Sequence, residues 1–207
     1  AACPARLTIA SIGPAGEMQL KAASVTVTTP DFKPRTAARG GFGAVMGSKN
    51  LKAVIIDDAG SDEAAVENKA GLKEAASQLS KTILANPLVG VFKELGTPAL
   101  VMLTQTLGCL PTKNYSSGQF AGAEKVCGEN MAGIIKNRPN GQNTHRCMNG
   151  CIIGCSNIYT DEKGEEIVSG VEYETIALVG SNCMIDDLDI IARINRLCND
   201  LGLDTME

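Results

Sequence analysis

The sequence predicts an α+β protein in which a strand-rich first part of about 58 residues precedes a mainly helical remainder. Two segments before residue 30, "RLTIASIG" and "MQLKAASVTVT", are rich in β-branched residues. From Ser61 onward the apolar residues recur at helical spacings. With 207 residues, of which 44% are hydrophobic, the chain can bury one large core or two small ones.

The first part contains a predicted hairpin and a glycine-rich turn. The turn residues of "GPAGE" separate the two strand segments and predict that the strands pair. "ARGGFGAVMGSKN" then predicts a turn followed by a short helical run. After it, the apolar pattern of "LKAVIID" predicts another strand.

Capping residues mark the predicted helices that follow. Ser61, with Asp62 and Glu63 in the first turn, predicts the start of a long helix. "NPLVGVFKELG" and "TPALVMLTQTLG" each place Asn or Thr at the cap, Pro at the first helical position and Gly past the end, so two short helices are predicted.

The rest of the chain combines an irregular connection, a hairpin and a well-marked helix. Residues 109–146 are rich in Gly, Asn, Ser and Pro, and only "ENMAGIIKN" predicts a helix there. "NIYTDEKGEEIVSG" predicts a hairpin that turns at Lys163 and Gly164. A helix is predicted from about Tyr173 to Val179, and "DDLDIIARINRLCND" predicts an amphipathic helix that stops at Gly202.

Composition excludes two classes of function. A net charge of -4 without a basic run argues against binding to nucleic acid. The longest apolar runs are far shorter than the roughly 20 residues that span a bilayer, so no membrane segment is predicted. The chain begins without Met or the features of a signal peptide, and we expect an internal fragment of a longer cytoplasmic protein.

The eight cysteines are expected to be reduced thiols, since nothing in the sequence indicates export. Five are scattered and are predicted to be small buried hydrophobic residues. These are Cys3, Cys109, Cys127, Cys183 and Cys198.

Cys147, Cys151 and Cys155 recur at four-residue intervals in "CMNGCIIGC". A helix would place them on one face, but Gly150 and Gly154 would each cost about 1 kcal/mol relative to Ala in a helix interior. We therefore predict a loop in which glycine lets backbone N–H groups point at sulfur. Three thiolates with a distant fourth are typical of an iron–sulfur cluster, and zinc or structural thiols are the alternatives.

Two further features have a weaker signal. His145, the only histidine, is predicted to be a solvated loop residue, with a role as a surrogate metal ligand as the alternative. Arg39 stands beside Gly40, Gly41 and Gly43 ahead of a short helical run, an arrangement that suits a phosphate, although most such glycine-rich stretches are only turns.

Taken together, the motifs resemble the aldehyde:ferredoxin oxidoreductase family. "IGPAGE", "ARGGFGAVMGSKNLKAV", "LPTKNY", the cysteine cluster, "GVEYETIALVGSNC" and "LCNDLGLDT" follow one another in the family's order along nearly the whole chain. The resemblance implies a tungsten or molybdenum enzyme whose metal is held by two pyranopterins beside a 4Fe-4S cluster. It also implies that residues 1–59 are the C-terminal part of a β-rich pterin-binding domain and that residues 60–207 begin a helical domain carrying the cluster.

The resemblance assigns cofactor contacts to two segments. The first, around Arg39, would cradle a pterin phosphate, where Mg²⁺ is compatible with the family pattern. The second, "NDLGLD", resembles a pterin-binding turn, but Asn199 stands where the family has Asp and carries no charge. The implied cofactor-binding residues are Ala38, Arg39, Gly40, Gly41, Gly43, Asn199, Gly202, Leu203 and Asp204.

The cysteine spacing departs from the usual family pattern, C-x2-C-x3-C. Met148 occupies the position of the first ligand, and Cys147 lies one residue earlier, which shifts its sulfur by up to about 3.5 Å. The assignment of Cys147 is therefore weaker than that of Cys151 and Cys155. The family's fourth cysteine ligand lies downstream of residue 207.

Glu172 and Glu174 in "VEYET" are the implied catalytic residues, because the family has a glutamate near the metal in this segment. Such a carboxylate would accept a proton or orient the substrate. Two glutamates at a helix start also serve as caps or dipole partners, and that alternative stays open.

The function implied is oxidation of aldehydes or related carbonyl compounds, with electrons passing through the cluster to ferredoxin. A homodimer is compatible with the resemblance. The first alternative is an iron–sulfur electron-transfer protein or reductase subunit without chemistry at the pterin. A radical enzyme that uses S-adenosylmethionine is a weaker one, since its cysteine spacing is shorter than that of this chain.

Overall fold

The computed structural model describes residues 7–29, 31–37, 39–62 and 64–207. Within them the chain forms two antiparallel sheets and nine α-helices, so the predicted α+β class is confirmed. The first sheet has the order β3-β2-β1-β4. Its strands are β1 (Leu7–Ile12), β2 (Val25–Thr28), β3 (Pro34–Ala37) and β4 (Ala53–Asp57).

The two strands predicted as a hairpin pair as expected, with Ala10 opposite Val27. Their connection is longer than a turn, because "GPAGE" forms a short helix, α1 (Pro14–Glu17), whose first residue is proline. The glycine-rich stretch forms α2 (Phe42–Ser48). The two short helices cross closely at Gly47, where a Cβ atom would lie only 1.9 Å from the carbonyl oxygen of Gly16.

The long helix starts later than predicted. α3 (Lys69–Leu84) is capped by Asn68, whose side chain accepts a hydrogen bond of 2.8 Å from the N–H of Gly71. Ser61 instead bonds the carbonyl of Asp58 in a turn, and Glu63 lies outside the described residues. Because α3 buries none of its residues, its local cap determines where it begins.

The next helices follow the capping signals only in part. α4 (Pro87–Leu95) has Asn86 at its cap and Gly96 at its end, as predicted. Thr97 does not cap a helix; it lies in a 3₁₀ turn (Thr97–Ala99) that leads into α5 (Leu100–Thr106). Its hydroxyl is instead directed to a distant carboxylate, Glu172.

The predicted irregular connection contains more regular structure than expected. α6 (Ala123–Val126) precedes α7 (Gly128–Asn137), which includes the predicted "ENMAGIIKN". A strand that the sequence did not indicate, β5 (Gln142–His145), then pairs with β6 (Ser156–Thr160). Its residues, "QNTH", lack the apolar alternation of a strand and are ordered by pairing.

The second sheet has the order β5-β6-β7, and the predicted hairpin of β6 and β7 (Glu166–Ser169) is confirmed. Beyond it, α8 (Tyr173–Thr175) continues as a π-helical turn (Ile176–Gly180) and a 3₁₀ turn (Ser181–Cys183), so the predicted helix there is only partly regular. α9 (Leu188–Leu201) has Asp187 at its cap and ends at Gly202, as predicted.

The main core lies between the second sheet and helices α5 to α9. Tyr159 and Ile191 are fully buried in it. Cys127 is buried as expected and Cys198 is half-buried, whereas Cys109 and Cys183 are exposed, which corrects that prediction. Cys109 lies just beyond the end of α5 and Cys183 ends a 3₁₀ turn, while Cys3 lies outside the described residues. In the described part of the chain, no helix has the length and apolarity needed to cross a bilayer.

A short backbone ladder joins the end of α9 to the first sheet. The N–H of Ser24 donates to the carbonyl of Gly202 at 2.8 Å, and the N–H of Asp204 donates to the carbonyl of Ala22 at 2.9 Å. Gly202 has a φ of 75°, and a Cβ atom there would lie 2.9 Å from the backbone nitrogen of Gly13. Glycine is therefore required for this approach.

We expect Gly47→Ala to destabilise the protein, because the new methyl group would force α1 and α2 apart. Gly133→Ala is a matched control, since Gly133 lies in α7 with open space around its Cα. The control should be neutral or stabilising by up to about 1 kcal/mol, as expected for Gly→Ala in a helix. Thermal unfolding of the full-length protein measures both changes, and equal melting temperatures would contradict the expectation.

Arg138 forms a two-pronged ion pair with Asp189, at 2.7 and 2.8 Å, and the Tyr159 hydroxyl donates to the same carboxylate. The hydrogen bonds from Arg138 lower the pKa of Asp189. A lowered folded-state pKa contributes stability above the unfolded value of about 3.9, and that stability is lost as the pH falls through the folded value.

The difference in stability between the wild type and Asp189→Asn should therefore be largest near neutral pH and shrink below about pH 4. We expect about 1 kcal/mol at pH 7, because the carboxylate is partly exposed. Chemical denaturation of the full-length protein at several pH values tests this. A difference that does not depend on pH would contradict it.

Candidate functional site

A polar cavity of about 280 Å³ lies where the first sheet meets the second sheet and the end of α9. Its walls come from β3 and Arg39, from the cysteine loop with β6 and β7, from α8, and from α9 with the segment that follows it. Eight of the residues predicted from the sequence line it. They are Arg39, Cys147, Cys155, Glu172, Glu174, Asn199, Leu203 and Asp204.

Asp204 is a buried carboxylate with incomplete bonding. Its side chain is 2% exposed, and Oδ2 lies 3.6 Å from Nε of Arg39, close enough for charge attraction but without a hydrogen bond. Oδ2 thus has no hydrogen-bond partner among the described residues. A buried polar atom in this state marks a place where a ligand could donate a hydrogen bond.

The glycine residues near Arg39 lie beside the cavity and do not line it. The N–H of Gly40 donates to a carboxylate oxygen of Glu207 at 3.1 Å, so this N–H group already binds an anionic oxygen. Gly41 precedes α2, and Gly43 packs against the segment just before β2, where its N–H donates to the carbonyl of Ala23. Ala38 lies outside the described residues. The cofactor contacts of these residues, like that of Gly202, stay predictions.

The cysteine cluster forms a loop between β5 and β6, as predicted. Gly150 and Gly154 have φ values of 77° and 66°, which a helix does not allow. The N–H of Gly154 points at the sulfur of Cys151, 3.4 Å away. Cys147 and Cys155 line the cavity from its second-sheet side.

The thiols lie close enough to influence one another electrostatically. The pKa of Cys155 is raised by burial first, and then by Glu172, Cys147 and Cys151. Within residues 7–29, 31–37, 39–62 and 64–207, no three His, Cys, Asp or Glu side chains form a ready metal-binding group. The assignment of Cys147, Cys151 and Cys155 as metal ligands therefore stays a prediction.

Glu172 is the most constrained acidic group of the cavity. Oε2 accepts a hydrogen bond of 2.6 Å from the hydroxyl of Thr97, and Oε1 accepts one of 3.0 Å from the hydroxyl of Ser156. Glu174 lies in the first turn of α8 and lines the same cavity. The two glutamates are therefore brought to one cavity with Arg39 and two of the thiols.

His145 corrects a sequence expectation, because it is neither solvated nor in a loop. It ends β5 with 9% of its side chain exposed, and its Nε2 lies 2.6 Å from Oδ2 of Asp31. Burial alone would raise the pKa of Asp31, but hydrogen bonds from Thr29 and His145 outweigh it and lower the pKa. Asp31 is 114 residues away in sequence, so no local pattern indicates this pair.

Arg35 is a cavity residue that the sequence did not reveal. From β3 it donates to the carbonyl of Ser169 at 3.0 Å and to the hydroxyl of Ser156 at 2.6 Å, so it joins the two sheets. Its Nη2 also lies 3.4 Å from Nδ1 of His145, and its Nε is buried without a partner among the described residues. "KPRTAARGG" gives no sign of this role, because the partners lie in a different sheet.

The fold and the cavity define an α+β protein with a polar, partly charged cavity between two sheets. The chain belongs to the aldehyde ferredoxin oxidoreductase family. Residues 3–58 match the family model "Aldehyde ferredoxin oxidoreductase, N-terminal domain", and residues 74–207 match "Aldehyde ferredoxin oxidoreductase, domains 2 & 3".

Several characterised proteins are similar over almost the whole chain. The tungsten-containing aldehyde ferredoxin oxidoreductase of Pyrococcus furiosus is 35% identical over 204 residues, which are 97% of this chain and 31% of that protein. The same enzyme of Thermococcus kodakarensis is 34% identical, with the same coverage. The WOR-like subunit of aliphatic sulfonate oxidoreductase from Pyrococcus furiosus is 30% identical over 93% of this chain and 29% of that protein. The chain thus spans about a third of these relatives.

A solved structure has the same fold. The active-site complex BamBC of benzoyl coenzyme A reductase, in complex with 1,5-dienoyl-CoA, matches with a TM-score of 0.64. The match covers 97% of this chain and 30% of that chain, at 24% sequence identity. At this identity the likeness concerns the fold alone.

We expect Cys151→Ser and Cys155→Ser, made in the full-length protein, to abolish the electron paramagnetic resonance signal of a reduced iron–sulfur cluster. Cys109→Ser is the matched control, because Cys109 is exposed in a different part of the fold. It should retain the signal and the iron content. An unchanged spectrum in either loop variant would refute the ligand assignment.

Proposed function

We propose that this chain is the pterin- and cluster-binding part of an oxidoreductase that oxidises aldehydes or related carbonyl compounds to carboxylic acids. The observation that carries the proposal is the single cavity in which Arg39 and Asp204 face two cysteine thiols, with Glu172 and Glu174 on its wall. The similarity to tungsten-containing aldehyde ferredoxin oxidoreductases supports the same reading.

The residues on the first-sheet side suit a pyranopterin. The unpartnered Oδ2 of Asp204 would accept a hydrogen bond from a pterin N–H group, and Asn199 would add an uncharged contact. Arg39 and the amides of Gly40 and Gly41 would hold a phosphate, as the carboxylate on Gly40 illustrates. Gly43, Gly202 and Leu203 shape the backbone around these contacts, and Ala38 belongs to the same proposed cradle.

The residues on the second-sheet side suit a 4Fe-4S cluster. Cys147, Cys151 and Cys155 supply thiolates of the kind that bind iron, and the fourth ligand would come from elsewhere in the protein. Small movements of the glycine-containing loop would bring the three sulfurs together. Cluster and pterin would then lie on opposite walls of one cavity, which favours short-range electron transfer.

The tungsten or molybdenum centre on its two pyranopterins would supply the two-electron oxidation of the substrate. The protein's own part is to position the substrate and to accept a proton from it. Glu172 or Glu174 would accept the proton released when the carbonyl compound is oxidised, since both line the cavity. Mg²⁺ between pterin phosphates is compatible with this arrangement.

The wider organisation follows from the same proposal. Residues 1–59 would complete a β-rich pterin-binding domain, and residues 60–207 would begin the helical domain that carries the cluster. Ferredoxin is the proposed electron acceptor and the cytoplasm the proposed location, and a homodimer is compatible with both. The alternative is an iron–sulfur electron-transfer protein or reductase subunit without chemistry at the pterin.

Anaerobic expression of the complete open reading frame, followed by metal analysis and an aldehyde oxidation assay, tests the proposal. We expect iron together with tungsten or molybdenum, and aldehyde-dependent reduction of ferredoxin. Asp204→Ala should lower the tungsten or molybdenum content, whereas Asp186→Ala, a control in a surface ion pair with Lys125, should not. Iron alone would support the electron-transfer alternative, and a preparation free of both metals would refute the proposal.

A further inference from the structure

The hydroxyl groups of Thr97 and Ser156 converge on Glu172 from two different parts of the fold. Thr97 belongs to the 3₁₀ turn before α5, 75 residues before Glu172, and Ser156 starts β6. Each hydroxyl donates to a different carboxylate oxygen. Both carboxylate oxygens are therefore held by hydrogen bonds. A glutamate on the protein surface would be free to rotate.

The direction of both hydroxyl protons is set by groups that can only donate. Arg35 Nη2 lies 2.6 Å from the Ser156 oxygen, and a guanidinium has no acceptor, so that oxygen must accept. The backbone N–H of Tyr173 donates to the Thr97 oxygen at 2.9 Å, which imposes the same condition there. Each hydroxyl has one proton, and in both cases it is left to point at Glu172.

We propose that Thr97, Ser156 and Arg35 are positioning residues that fix the Glu172 carboxylate in the cavity before the substrate arrives. The inference rests on the proposed function, in which Glu172 acts on the substrate. Arg35 acts through Ser156, and it ties the position of the carboxylate to β3 of the first sheet.

Such positioning lowers the activation free energy, because the carboxylate loses its rotational entropy during folding and not during the reaction. A carboxylate free to rotate would spend only part of its time facing the substrate. Two hydrogen bonds to a charged acceptor restrict it to one orientation. Loss of one hydroxyl should therefore reduce the rate of the chemical step more than it reduces substrate binding.

The full-length, metal-loaded enzyme with Thr97→Val tests this, because valine has nearly the shape of threonine but no hydroxyl. We expect kcat for aldehyde oxidation to fall by about 10- to 100-fold with KM changed by less than about twofold. Thr97→Ser, which keeps the hydroxyl, should retain kcat within about twofold. Ser156→Ala should resemble Thr97→Val.

Thr106→Val is the matched control, because among the described residues the hydroxyl of Thr106 bonds only the Met102 carbonyl, within α5. It should leave kcat, metal content and melting temperature unchanged. A crystal structure of each variant gives a second readout: Glu172 should keep its orientation in Thr97→Ser and Thr106→Val and lose it in Thr97→Val.

The outcomes separate this inference from the proposed function. If the wild type is active and Thr97→Val matches Thr97→Ser in kcat, or raises only KM, the positioning role is refuted. If only the metal content or the melting temperature falls in Thr97→Val, and kcat per bound tungsten or molybdenum is unchanged, the hydroxyl is merely structural and the positioning role is also refuted. If the wild type neither binds a group-six metal nor oxidises aldehydes, the proposed function fails, and an unmoved Glu172 in Thr97→Val would then refute the inference on its own.

Discussion

The site depends on one short backbone ladder that joins the chain after α9 to the chain before β2. Ala22 to Ser24 and Gly202 to Asp204 exchange backbone hydrogen bonds, although they lie about 180 residues apart in sequence. The contact is possible because two glycines, Gly13 and Gly202, meet without side chains between them. It places the carboxylate of Asp204 at the cavity, beside the guanidinium of Arg39.

Burying Asp204 in this way has an energetic cost that the protein alone does not recover. A buried carboxylate loses several kcal/mol of hydration unless hydrogen bonds and charges replace the lost water. Arg39 supplies attraction, but one carboxylate oxygen is left without a hydrogen-bond donor among the described residues. Arg35 of β3, which also lines the cavity, has a buried Nε without a hydrogen-bond partner among the described residues. A buried acceptor and a buried donor that both lack partners at one cavity fit a site completed by a polar ligand.

Local signals in the sequence predicted those parts of the fold that local interactions determine. The Asn86 cap, the Gly202 stop and the hairpin at Lys163 and Gly164 are set by a few neighbouring residues, and all were right. β5 lacks the apolar alternation of a strand and is ordered only by pairing with β6, and the His145–Asp31 pair joins residues 114 positions apart; both were missed. The motif residues of the site could be found from the sequence, whereas Thr97 and Ser156 could not, because single hydroxyl residues form no pattern.

The position of Arg35 explains how two separately folded sheets can share one site. Each sheet alone presents only half of the polar groups: the first sheet brings the arginines, and the second brings the thiols and the hydroxyl of Ser156. Arg35 reaches from the first sheet to the second and donates hydrogen bonds to Ser156 and Ser169. Because a guanidinium can only donate, the direction of these bonds is fixed. A rotation of one sheet against the other would break these bonds and turn the Ser156 proton away from Glu172. The carboxylate is therefore correctly oriented only when both halves of the cavity are assembled, which links the acid–base group to the same interface that would hold the cofactor.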